Sequence, residues 1–327
     1  MNYGKKGVRA KQKALNSKSQ KWGRKIALTC VKVMLAAVVG VGICGVAAGI
    51  GAFRGILSST PTIRLSDVVA VGEATIVYDR EGNEIDQYVS TNSNRLSVGM
   101  DEIPDYMGKA FVAIEDERFY QHNGIDVKGI LRAGYQFLKT GGEEAQGAST
   151  ITQQLLKNTV FTDWTSEGDN KIKKIKRKIQ EQYLALEITK YYSKDEILLR
   201  YMNAINLGQN TLGVESASLR YFGKHCSELT VSECAVIASI TQNPSKYNPI
   251  RHPEENAKRR EKCLKKMLEL EFITQAQYDE AIADTDAVYE RIGLYDIDYQ
   301  EANATTGSYF SDAVYEQVKQ DLILAGY

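Results

Sequence analysis

Val33 to Phe53 is a run of 21 residues without a charged side chain. As a helix rising ~1.5 Å per residue it would reach about 31 Å, enough to cross the hydrocarbon core of a bilayer. Lys32 and Arg54 flank the run, and residues 1–25 hold nine Lys or Arg and no Asp or Glu. This positive excess predicts a cytoplasmic N-terminus and places everything after residue 54 on the outer side. The run is longer than the apolar region of a cleaved signal peptide. It is read as an uncleaved signal anchor, 26–54, behind a basic cytoplasmic tail, 1–25. Gly40-Val41-Gly42-Ile43-Cys44-Gly45 fits the dinucleotide pattern G-x-G-x-x-G. That pattern requires a strand, a turn and a helix, and glycines inside an unbroken apolar span do not supply them.

The 327 residues balance 41 Lys+Arg against 41 Asp+Glu. With the tail set aside, 32 basic residues face 41 acidic ones, so the body is acidic and a general nucleic-acid binder is excluded. Of the five cysteines, Cys30 and Cys44 fall in or beside the apolar run. Cys226, Cys234 and Cys263 remain, without a C-x-x-C, and are read as buried thiols. His122, His225 and His252 are too far apart to suggest a zinc cage.

A connector, 55–73, contains Pro61. Ala74–Tyr78 and Glu84–Val89 flank Asp79-Arg80-Glu81-Gly82-Asn83, which predicts a small β-hairpin. From about 101 the pattern is helical, giving a mainly α body over 74–290. One helix is expected over about 170–192, with Ile172, Ile175, Ile179, Tyr183 and Leu186 as its apolar face. Another is expected over about 194–206, where Ser193 and Glu196 form a capping box. Further helices are expected near 231–241, 253–271, 274–284 and 307–325.

Three segments carry side chains suited to chemistry. Glu115-Asp116-Glu117-Arg118-Phe119 follows an apolar helical stretch. A carboxylate there, crowded by others, should have a raised pKa and could act as a general base; a solvated acidic turn is the alternative. Gly147-Ala148-Ser149-Thr150-Ile151-Thr152-Gln153-Gln154-Leu155-Leu156-Lys157-Asn158 offers hydroxyls, amides and a lysine for sugar or phosphate oxygens, or is simply an N-capped helix with a polar face. In the third, six of the eight residues 171–178 are basic, and Glu181 lies one turn beyond Arg177 and Lys178. Such a stripe suits a pyrophosphate or an anionic membrane surface, although charge runs are commonly solvated faces.

In order and spacing, these segments resemble the peptidoglycan glycosyltransferases, glycosyltransferase family 51, found at the N-terminus of class A penicillin-binding proteins. Glu115–Phe119 with His122 and Gly124 resembles the first family motif, Gly147–Asn158 the second and Arg177–Tyr183 the third. Tyr192–Leu198 with Tyr201-Met202-Asn203 and Asn206-Leu207-Gly208 is similar to the fourth. Asn243–Pro249, with Arg259 and Arg260 downstream, is similar to the fifth; the likeness covers roughly 70–285.

The resemblance implies a lysozyme-like, mainly α domain that polymerises lipid II. Glu115 would take the proton from the acceptor sugar's 4-hydroxyl, whose oxygen attacks the anomeric carbon of the growing glycan with inversion. Undecaprenyl pyrophosphate would leave. Glu181 would act near that pyrophosphate, directly or through a divalent cation, Mg or Mn; no other cofactor is implied. Asp116, Arg118, Ser149, Gln153, Gln154, Lys157, Arg177, Lys178, Asn203, Arg259 and Arg260 would contact substrate. Both substrates are polyprenyl lipids, so the implied partners are lipid II, the lipid-linked glycan, the bilayer and a cell-wall synthesis complex. Ile125 to Leu138, with Lys128, Arg132 and Lys139, reads either as an interfacial helix or as a plain core helix.

Class A proteins carry a transpeptidase domain after this region, and that domain requires S-x-x-K, S-x-N and K-T-G in order. No S-x-x-K occurs; Ser90-Thr91-Asn92 and Lys139-Thr140-Gly141 are read as chance matches. No transpeptidase activity is therefore expected of this chain, and 291–327 resembles the linker into such a domain. Two other functions stay open, a glycan-cleaving hydrolase or lytic transglycosylase and a non-catalytic cell-wall scaffold.

Overall fold

The structure is a computed structural model describing residues 4–15, 18–69, 72, 75–82, 84–88, 94–140, 147–162, 164, 168, 170–293 and 309–326. Two compact units divide after Thr60. The first contains α1, Lys5–Leu15, and α2, Lys18–Ser58. Within α2, Trp22–Ser58 contains an 18-residue stretch of mean hydropathy 2.4 with none of its residues buried, so it is long and apolar enough to cross a membrane. A helix that is apolar all round and covered by no protein matches a hydrocarbon solvent better than water.

The second unit opens with the expected hairpin. β1, Thr75–Tyr78, pairs antiparallel with β2, Glu84–Tyr88. Among the described residues the elements that follow are helices: α3, Asp105–Glu115; α4, Val127–Thr140; α5, Ile151–Thr159; α6, Lys171–Ile188; α7, Lys194–Ala204; α8, Val214–Phe222. Then follow α9, Val231–Ala238; α10, Pro253–Glu269; α11, Gln275–Ala283; α12, Thr285–Glu290; and α13, Tyr309–Leu324. The fold is mainly α, as the sequence pattern predicts. Ser90-Thr91-Asn92, Gly141-Gly142 and most of the segment before α13 lie outside the described residues.

Local chemistry sets the helix starts. Ser193 Oγ accepts from the Glu196 amide at 3.2 Å, and Glu196 returns the bond to the Ser193 amide at 2.8 Å. Thr230 with Glu233 and Thr274 with Gln277 repeat the device before α9 and α11, and Pro253 occupies the first turn of α10. The core gathers Met107 and Phe111 from α3, Leu155 and Leu156 from α5, and Tyr201 and Met202 from α7. Val236, Ile237, Leu264 and Met267 complete it from α9 and α10. Phe111 and Tyr201 meet edge to face, with ring centroids 5.6 Å apart. Burying each large side chain contributes about 1.5–3 kcal/mol, which fixes the end of α3 against α5, α7 and α10. Cys226, Cys234 and Cys263 are buried free thiols, as expected.

Two expectations about helix faces change. In α6 the buried residues are Gln180, Glu181, Leu184, Ala185 and Ile188, whereas Ile172, Ile175, Tyr183 and Leu186 are exposed. Burial is confined to the C-terminal half of the helix. The apolar stripe read from spacing lies on the outer face. α4 buries only Gly129 and leaves Val127, Leu131, Tyr135 and Leu138 exposed, so it is not a plain core helix.

Candidate active site

A cleft of about 480 Å³ opens where α3 ends and α5 begins, and Lys178 of α6, Thr241 after α9 and Arg259 of α10 also line it. Glu115 is the last residue of α3, and its carboxylate receives three donors. Arg259 Nη2 lies 2.7 Å from Oε1, Thr241 Oγ1 lies 2.5 Å from the same oxygen, and Gln154 Nε2 lies 2.9 Å from Oε2. Behind Gln154, the Tyr201 hydroxyl donates to its Oε1 at 3.1 Å. Neither side chain of the salt bridge is more than 12% exposed. A carboxylate with three donors in a sheltered site is strongly oriented.

The other acids of the first segment are tied down. Asp116 accepts from His122 Nε2 at 3.0 Å and from the Ile151 amide at 3.1 Å. His122 Nδ1 accepts from the Gly124 amide, which leaves the ring proton on Nε2 facing Asp116. Gly124 has φ +90°, and a Cβ there would sit 2.3 Å from the Ala185 carbonyl oxygen, so only glycine lets this turn meet α6. Arg118 bridges Glu117 and Asp126, each at 2.5 Å. Burial alone would push Glu117 up, but the Arg132 hydrogen bond and the charges of Lys266, Arg132 and Arg118 outweigh it and hold the carboxyl low. The raised pKa expected from crowded carboxylates is reversed at Glu117, because Arg118, Arg132 and Lys266 surround it.

Ser149 and Lys157 line the cleft. Lys178 Nζ donates to Ser149 Oγ at 2.9 Å and lies 2.8 Å from Glu181 Oε2. Lys157 stacks over Trp164, 4.2 Å from the ring centroid. Burial, reinforced by the charges of Lys178 and Arg177, lowers its pKa.

Five sequence-predicted residues, Glu181, Arg177, Gln153, Asn203 and Arg260, do not line this cleft. Glu181 is fully buried, and Arg177 pairs with its Oε1 while Lys178 takes Oε2, so it sits one layer behind the cleft wall. Gln153 is buried because the N-capped first turn of α5 turns it inward. Asn203 exchanges hydrogen bonds with both the amide and the carbonyl of Val98, at 3.1 and 2.9 Å, and is structural. Arg260 is wholly buried, held by Ser232 Oγ, Thr285 Oγ1 and the Ala281 carbonyl. One residue of offset on a helix sends Arg259 to the cleft and Arg260 to the core.

Arg177 pairs with Glu181 Oε1 and Lys178 Nζ lies 2.8 Å from Oε2, so a divalent ion at this buried carboxylate would meet two cations. Among the described residues no group of three or more His, Cys, Asp or Glu could hold a metal.

Sequence reasoning missed Thr241 and the role of Tyr201. Thr241 lies two residues before the Asn243 motif, and only the fold brings it to Glu115. A second cleft of about 480 Å³ shares Gln154, Lys157, Thr241 and Gln242 with the first and extends it past Trp164, Asn206 and Asn248.

A helical domain built around a sheltered glutamate and a cationic wall defines a family. The transglycosylase family model matches residues 81–268, and the chain belongs to that family. It is similar to penicillin-binding protein 1A of Clostridium perfringens (strain 13 / Type A), with 39% identity over 276 residues covering 82% of this chain and 39% of the relative. Penicillin-binding protein 1A/1B of Bacillus subtilis (strain 168) is 34% identical over 286 residues, covering 85% of this chain and 29% of its own length. The chain thus spans about two fifths or less of the curated relatives it matches.

Proposed function

We propose that this chain is a peptidoglycan glycosyltransferase that polymerises lipid II at the outer face of the membrane. The observation that carries the reading is Glu115, aimed into the cleft by Arg259, Thr241 and Gln154, with Lys157 and Lys178 on the wall of the same cleft. Glu115 takes the proton from the acceptor 4-hydroxyl as that oxygen bonds to the donor's anomeric carbon. The bond from that carbon to the pyrophosphate breaks, and the linkage inverts. Charge grows on the departing pyrophosphate, and fixed cations there stabilise the transition state more than the ground state. An anion beside Lys157 also offsets the penalty that burial imposes on its ammonium.

Arg177 stands behind this wall, paired with Glu181, which also pairs with Lys178. Glu181 is then a counter-ion that orients Lys178. α2 serves as a single-pass anchor with its basic end in the cytoplasm, and tethering raises the effective concentration of lipid-borne substrates. The exposed apolar side of α4 suits the interfacial layer of the bilayer.

Hydrolysis fits less well. Two-carboxylate hydrolysis needs a second cooperating carboxyl group, and here Asp116 is locked to His122, Glu117 is paired with Arg118 and Arg132, and Glu181 is sealed. Incubating the full chain with lipid II in bilayers tests the reading: glycan polymer is expected, and shortened glycan without polymer would overturn it.

A further inference from the structure

Tyr201 is the largest apolar-ring side chain behind the cleft that carries a polar group aimed at the site, and no step above uses it. It is fully buried on α7 and lines no cleft wall around Glu115. Its ring is fixed edge to face on Phe111, one helical turn before Glu115 on α3. Its hydroxyl has one donor function directed at Gln154 Oε1, 3.1 Å away, and the other end of that amide donates to Glu115 Oε2 at 2.9 Å.

A primary amide presents either NH2 or C=O to a neighbour, and the two faces have opposite effects on a carboxyl group. NH2 toward Glu115 supports the ionised base, whereas C=O toward Glu115 accepts a proton from the neutral acid. The Tyr201 hydroxyl biases the choice: its buried O–H donates to Gln154 Oε1, and turning the amide would take that acceptor away. We propose that Tyr201 is a positioning residue for the transfer reaction, locking the Gln154 amide with its NH2 toward Glu115. This rests on the reading of Glu115 as general base.

The lock matches the reaction cycle. Glu115 must begin each transfer ionised and release its proton before the next, and a fixed donor resists retention of that proton. Burial holds the Tyr201 phenol well above its ordinary range, so it stays protonated and can donate at any working pH. The other groups facing Glu115 are Arg259 and Cys263 on α10, Lys157 on α5 and Thr241 after α9. Thr241 does not titrate, and burial raises Cys263 to about 12. Lys157 would lose charge only as pH rises, which acts on the alkaline limb.

The test is the pH profile of lipid II polymerisation by the full chain in bilayers, for wild type, Tyr201→Phe, Gln154→Met and the double variant. Phenylalanine keeps the ring packing and frees the amide to rotate. Tyr201→Phe should lower kcat about tenfold, leave KM within about twofold and move the acidic limb to higher pH by about half a pH unit or more. Gln154→Met should give a similar move, and adding Tyr201→Phe to it should move the limb no further. If Tyr201→Phe does not fold, an acidic limb unmoved in Gln154→Met overturns the inference by itself. A folded Tyr201→Phe with the wild-type limb, or equal additional shifts in the double variant, also overturns it while polymerisation stands. Absence of polymer from wild type overturns the parent reading and this inference together.

Discussion

Arg259 Nη2 lies 2.7 Å from Glu115 Oε1, joining residues 144 positions apart, while its sequence neighbour Arg260 is sealed in the core. The two arginines should therefore fail differently. Arg259→Ala should lower kcat by about 100-fold with little change in Tm, since it removes a charge-assisted bond at the reacting carboxylate. Arg260→Ala should cost about 3 kcal/mol, leaving Ser232 and Thr285 without their partner and a void behind them. Thermal melting alongside lipid II kinetics separates the two.

Glu181 stands behind Lys178 and Arg177 as a shared counter-ion. Glu181→Gln should cost about 3 kcal/mol by leaving two cations unneutralised beside a sheltered wall, and should raise KM for the pyrophosphate-bearing donor. Titrating Mg or Mn should give the same metal dependence in wild type and variant. A dependence abolished by the substitution would assign Glu181 as a ligand instead.

Val127, Leu131, Tyr135 and Leu138 recur every three or four residues along the exposed side of α4. Leu131→Ser with Leu138→Ser should leave Tm unchanged, because neither side chain is buried. Polymerisation of bilayer-embedded lipid II should fall about tenfold, through weaker interfacial contact.

Stability should fall in acid. Burial alone would raise Asp126, but the Arg118 hydrogen bond, the Gly129 amide and the Arg118 charge together hold it below its ordinary 3.8, and Glu117 is held below 4.5. Folded values below unfolded ones mean that the stabilisation is complete above those ordinary values and is lost as pH falls through the folded ones. His225 runs the other way. Its hydrogen bond to Glu215, at 2.6 Å, raises its pKa above 6.5, so its small, exposed contribution is present below 6.5 and fades as pH rises through the folded value. Melting curves from pH 3 to 9 should show a steep loss at the acid end and a shallow one at the alkaline end.

The helices, their caps and the hairpin were legible because each rests on short-range chemistry: hydroxyl and carboxylate pairs three residues apart, or Gly82 in a turn. The site was legible wherever a motif put reactive side chains in one short segment, as at Glu115, Ser149 and Lys157. Long-range choices were hidden. Spacing showed two arginines but not which one faces the core, and it showed an apolar stripe on α6 but not that packing would cover the polar side containing Glu181. Gln153 and Asn203 looked available because the sequence does not show the buried turn that claims one or the Val98 backbone that claims the other. Thr241 reaches Glu115 across 126 positions, a contact that no local pattern encodes.

Glu115→Gln tests the central claim most directly, since glutamine keeps the shape of the side chain and removes the base. Polymerisation of lipid II by the full chain in bilayers should fall by at least about 100-fold while Tm stays within a few degrees of wild type. Polymer formed at the wild-type rate by a folded Glu115→Gln protein would contradict the account.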